Sequence, residues 1–156
     1  MPEELDTQRA HRYFAVEAFN ESWKLIEKTD RTPDEDDEML RLAEVSFWHW
    51  NNFDGHTDEN LSIGLWQLAR VYVLASQPDR ALRYANRCVE ISEKAPLEPF
   101  FIGYAYEACA RALRASGDNT GWEKPLNQAF TIAESVTDKE SRGQLLADLN
   151  TVGPSN

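Results

Sequence analysis

The chain has 156 residues, 42% of them hydrophobic and 28% charged, with seven glycines, seven prolines and two cysteines. That length buries enough surface for one core without disulfides or a structural metal, and the composition excludes collagen-like, disordered and disulfide-scaffold classes. Lys and Arg number 16 against 27 Asp and Glu, a formal net charge of −11, which repels nucleic-acid phosphates and anionic lipid headgroups, so neither partner is expected.

Apolar residues recur at helical spacing through almost the whole chain, and no segment alternates apolar and polar residues as a half-buried strand would. The expected fold class is all-α, with about seven helices in a single domain over residues 1–150 and a flexible tail at 151–156. The opening, Met1 to Asp6, is acidic where a secretion signal is basic and then apolar, and no apolar run approaches the ~18–20 residues that span a bilayer. A cytoplasmic location is expected.

A first helix is predicted over 5–28, with Tyr13, Val16, Phe19, Trp23 and Ile26 as its buried stripe. Thr32 then caps a second helix over 33–53, with Pro33 at the first helical position, Glu35 completing a capping box and Met39, Leu42, Ala43, Phe47, Trp50 and Phe53 facing inward. The acidic run Asp34 to Glu38 reads as a solvated first turn favoured by the helix dipole. It contributes to an uneven charge: residues 1–60 hold 16 acids and 6 bases, whereas the remainder is almost balanced.

Leu61, Leu65, Leu68, Ala69 and Tyr72 mark a third helix ending near Ser76, in which Gly64 is expected to admit a close neighbouring backbone. Pro78 opens a fourth, running to 94 on Ala81, Leu82, Ala85, Cys88 and Val89. A fifth, over 98–116, packs Phe101, Ala105, Ala108, Cys109, Ala112 and Leu113 and stops at Gly117, a natural left-handed terminator. A sixth spans 123–136. Thr137 with Glu140 is expected to cap a short last helix carrying Leu145, Leu146 and Leu149. Cys88 and Cys109 lie 21 positions apart without metal or redox spacing and read as buried free thiols.

On the third and fourth helices, Leu65, Leu68, Ala69 and Tyr72 followed by Ala81, Ala85 and Cys88 resemble one degenerate tetratricopeptide repeat. Shifted by 41 residues, Tyr106, Cys109, Ala110, Leu113, Gly117-Asp118 and Ala129 resemble a second. The spacing departs from the usual ~34, and Trp122 and Pro125 break the pattern. Residues 5–53 match only as a hairpin of suitable size. Phe19-Asn20, Asp30-Arg31-Thr32-Pro33 and His49-Trp50 are also similar to small bacterial helical proteins. The resemblance implies antiparallel helical hairpins stacked as a right-handed superhelix. It further implies a concave groove lined by the first helix of each hairpin, here by Trp66, Gln67 and Arg70, then Glu107, Arg111 and Arg114.

Three arginines on one groove suit carboxylates. The first reading is therefore a non-enzymatic scaffold binding a protein or acidic peptide segment, with a second copy of the chain as one candidate guest. No Gly-x-Ser-x-Gly elbow, phosphate-cradling glycine loop or His-Glu-x-x-His occurs, and no catalytic residue or cofactor is assigned. The alternative is a small-ligand or metal-binding protein, or an enzyme, with a pocket between the first two helices formed by Asn20, Trp23, Glu44, His49 and Trp50. No histidine has a ligand-type partner one turn away on the same helix, so no metal site is assigned; a cross-helix set of His11, Glu17, Glu44 and His49 stays open.

Overall fold

The computed structural model describes residues 5–153. Seven helices follow in order: α1 (Thr7–Glu27), α2 (Pro33–Asn52), α3 (Asp58–Leu74), α4 (Pro78–Lys94), α5 (Pro99–Ala115), α6 (Glu123–Ala133) and α7 (Lys139–Asn150). None is long and apolar enough to cross a membrane. The parts of the notional tail and opening at 154–156 and 1–4 lie outside the described residues.

Local chemistry fixes the boundaries. Thr32 and Glu35 form the expected capping box at α2, and Thr57 with Asn60 forms another at α3, each satisfying orphan N–H groups at a helix start. Proline occupies the first turn of α2, α4 and α5, where its missing N–H has no role. Gly117 ends α5 at a φ of 84°. The cap of α7 is Asp138, whose carboxylate accepts from the Ser141 N–H at 2.8 Å, rather than Thr137; an ionised acceptor is the stronger partner for that N–H. Within the acidic run, Glu35 pairs with Lys28 at 2.6 Å and Asp36 with Arg31 at 2.7 Å. Arg31 also donates to the Lys28 and Leu25 carbonyls at the end of α1, so the run fastens the first interhelical turn.

Successive helices pack as antiparallel hairpins, α1 with α2, α3 with α4 and α5 with α6, and α7 closes the series against α5 and α6. Contacts also join α1 to α3, α3 to α5 and α5 to α7, whereas the even-numbered helices do not reach one another among the described residues. The odd-numbered side is thus the inner, crowded wall of the stack.

Small side chains allow this approach. Ala81, Ala85, Ala105, Ala110, Ala112 and Ala129 are all fully buried, and Leu65, Leu68, Val71 and Met39 fill the spaces between hairpins. The α1–α2 seam corrects the expected stripe. Ala15, Ala18 and Ser22 are the buried residues of α1 and face Met39, Ala43 and Ser46 on α2; Ser22 and Ser46 hydroxyls donate to the Met39 and Ala15 carbonyls at 3.0 and 2.7 Å. Helices this close exclude large rings, so Tyr13 is left 59% exposed, and Phe14, Val45 and Trp48 remain exposed around the first hairpin. At Gly64 the close neighbour is the Phe47 ring, 2.9 Å from where a Cβ would stand, and not a backbone. At Gly103 a Cβ would lie 2.6 Å from Leu145, which marks where α7 seats on α5.

Candidate functional site

The centre of the inner wall is Glu107 on α5, a fully buried carboxylate. A charge removed from water is costly unless countered and hydrogen-bonded, and three donors converge on it. The Trp66 indole N–H donates at 3.0 Å, Arg70 at 3.0 Å, and Arg111, one turn along α5, at 2.6 Å. Burial draws the Arg70 guanidinium below its ordinary pKa, and Glu107 opposes that pull. Arg70 also stacks over Trp66, 5.4 Å from the ring centroid.

Beside this hub lies a cleft of about 550 Å³ with α3 and α5 as its floor and α1 and α7 as its sides. Its walls are mainly apolar: Trp23 and Ile26 from α1, Ile63 and Trp66 from α3, and Phe100, Phe101 and Tyr104 from α5. Trp23 and Trp66 lie 5.6 Å apart between centroids and are tilted by 33°, while Tyr104 meets Trp66 and Phe100 edge to face. Several of its polar groups are anchored. Trp23 donates to Glu27 at 2.9 Å, and the Tyr104 hydroxyl donates to Asp148 on α7 at 2.5 Å. Burial and the Asp148 carboxylate push the Tyr104 phenol well above its usual range, so it remains a donor.

The six residues expected to line a peptide groove divide among different tasks. Trp66 and Arg70 do border the cleft. Gln67 is buried and donates to the Phe19 carbonyl at 3.1 Å, which ties α3 to α1 and removes it from any groove. Glu107 lies beneath the surface. Arg111 donates to the Asp148 carbonyl at 3.2 Å and to the Thr151 hydroxyl at 2.8 Å, and Arg114 donates to the Val152 and Gly153 carbonyls. The open groove with three free arginines is therefore corrected: the chain's own C-terminal segment covers that part of the wall, because guanidinium donors left facing it find backbone oxygens one helix away. Of the tail expected at 151–156, Val152 is 2% exposed within the core around α5 to α7.

The second expected pocket does not assemble. Trp23 belongs to the large cleft, whereas Asn20 and Trp50 border a neighbouring hollow of about 190 Å³ with Val16, Phe19, Asn60 and Ile63. Glu44 points to the other flank of α2, where it accepts from the hydroxyls of Tyr72 and Tyr84 at 2.7 and 2.8 Å; burial and this carboxylate push Tyr72 up to about 12. His49 meets His11 through their Nδ1 atoms at 2.9 Å. The separation follows from helix geometry, because Glu44 and His49 lie five residues apart and so point to different flanks. Among the described residues no three His, Cys, Asp or Glu side chains are grouped to hold a metal ion. Cys88 and Cys109 are buried free thiols, pushed up to about 11 and about 12, both chiefly by burial.

The histidine contact has a testable pH signature. Burial, followed by the neighbouring His11, holds His49 below its ordinary value of 6.5. Its contribution is thus complete above about pH 6.5 and is lost as the pH falls through the lowered folded value. The melting temperature is expected to drop more between pH 7.5 and 5 for the native chain than for His49→Gln; equal drops would remove the histidine pair from the stability of this seam.

Sequence reasoning missed Phe100, Tyr104, Gln144 and Asp148 as cleft residues. Phe100, Phe101 and Tyr104 carry a visible signal, three rings within five positions of a helix whose other face is alanine. Asp148 carries none, because its role depends on where α7 docks. The chain matches no protein-family model, no curated protein and no solved structure.

Proposed function

We propose that the chain is a non-enzymatic, tetratricopeptide-like scaffold, curved in a right-handed sense, whose inner cleft seats a bulky apolar side chain from a segment of a partner protein. The observation that supports this reading is the convergence of five aromatic rings from three helices on one open cleft of about 550 Å³. Buried aromatic pockets with anchored polar groups are the usual centre of binding energy at interfaces. The indole N–H groups of Trp23 and Trp66 are already engaged within the chain, so these rings offer mainly apolar faces. The acidic guest implied by the arginines loses its basis where Arg111 and Arg114 hold the C-terminal segment.

Screening the immobilised protein against a random peptide display library tests the reading. Recovered peptides are expected to share one bulky apolar residue. Trp23→Ala, which removes a partly exposed cleft ring, is expected to weaken their binding by at least ~10-fold, the scale of a hot-spot truncation, with unchanged helical circular dichroism. Peptides lacking such an anchor, or full affinity in the variant, would overturn it.

A further inference from the structure

We infer that the partner segment is basic, with Lys or Arg flanking its apolar anchor; this rests on the cleft being the binding site. The charges around the cleft decide the sign. Arg70 is the one cation among the lining residues, and its charge is drawn inward to buried Glu107 at 3.0 Å and onto the face of Trp66. Arg111 is spent on the same carboxylate at 2.6 Å and on oxygens of the C-terminal segment. Against these stand Glu107 below, Glu27 on the α1 side and Asp148 on the α7 side. Two guanidiniums therefore face three carboxylates.

The two lining carboxylates sit on opposite walls, α1 and α7, with the aromatic floor of α3 and α5 between them. Each uses one oxygen on a neighbouring donor, Trp23 for Glu27 and Tyr104 for Asp148, and among the described residues the second oxygen of each makes no hydrogen bond. A segment with an apolar residue between two cations matches this order of carboxylate, rings and carboxylate. Trp23, Phe100 and Phe101 also line the cleft, and aromatic rings attract cations over their faces. Residues 1–60, which supply α1 and α2, carry 16 acids and 6 bases, so the long-range field draws a basic segment in and drives an acidic one off.

The test uses three blocked hexapeptides with the same central leucine, flanked by lysines, by glutamines or by glutamates. None contains tryptophan, so binding is read from the change in tryptophan emission of the full chain, two of whose five tryptophans, Trp23 and Trp66, line the cleft. At low salt the lysine peptide is expected to bind at least ~5-fold tighter than the glutamine peptide and at least ~20-fold tighter than the glutamate peptide. The ranking should narrow in 0.5 M salt and vanish in the double variant Glu27→Gln, Asp148→Asn. Equal or tighter binding of the glutamine or glutamate peptide overturns the basic guest and leaves the cleft standing. No binding of any of the three, with no change in tryptophan emission, overturns the cleft itself. The ranking is first read on the native chain, so it does not depend on the double variant folding.

Discussion

Replacing Glu107 by alanine is expected to destabilise the fold by about 3–5 kcal/mol, the cost of breaking a buried ion pair by removing one partner. The carboxylate is fully buried, and three donors from two helices end on it. Without it, Arg70 and Arg111 lose the carboxylate they share, leaving Asp148, which lies beyond ion-pair distance, as the charge acting on Arg70, and the Trp66 indole N–H loses its acceptor. Both arginine side chains retain 18% exposure, so water relieves part of the cost and the lower end of the range is expected. Since a domain of this kind holds only about 5–15 kcal/mol in total, the change is a large fraction of the whole. Glu107→Gln keeps an acceptor and removes the charge, so an intermediate loss is expected. Equilibrium denaturant unfolding measures both; an alanine variant within about 0.5 kcal/mol of the native chain, the ordinary range of a surface substitution, would show that this carboxylate does not hold the wall together.

Leu145→Ala is expected to cost about 2–5 kcal/mol, the range for deleting a buried leucine side chain. Leu145 is fully buried, and its methyl groups occupy the notch left by Gly103 on α5. Its loss loosens more than a local contact, because α7 is short and Leu145, Leu149 and Val152, with half-buried Leu146 beside them, hold it to the core. The Tyr104–Asp148 hydrogen bond and the grip of Arg111 on the Asp148 carbonyl depend on that seating. Hydrogen exchange is therefore expected to show α7 amides losing protection ahead of α3 and α4. Uniform loss across all seven helices would mean that α7 does not open as a separate unit.

The helices were legible because their ends are written locally: Thr32-Pro33 with Glu35, Pro78, Pro99 and Gly117 all act within a few residues of themselves. The inward stripes of α3, α4 and α5 were legible because apolar and small residues there occupy one consistent face. The stripe of α1 was misjudged for a physical reason. Its large residues and its small residues form two candidate stripes, and only the proximity of Ser46 and Ala43 on α2 selects the small one. The candidate site divides in the same way. Trp23, Trp66 and Arg70 could be singled out as unusual residues on one side of their helices. That Gln67 turns away, that Arg70 reaches Glu107 and that Asp148 becomes a wall all depend on the docking of helices 40 or so residues apart, for which a single sequence carries no local mark; the Glu107–Arg111 pair, four residues apart on α5, is the part written locally.

Arg114 clasps the carbonyls of Val152 and Gly153, which makes the stretch just after α7 a fixed point. A truncation that removed Val152 and Gly153 would take away both acceptors of Arg114, so a shortened or tagged chain should keep them. The same tether offers an advantage: a spin label placed directly behind Gly153 would report, through its mobility, whether the last helix stays seated, without any probe inside the cleft.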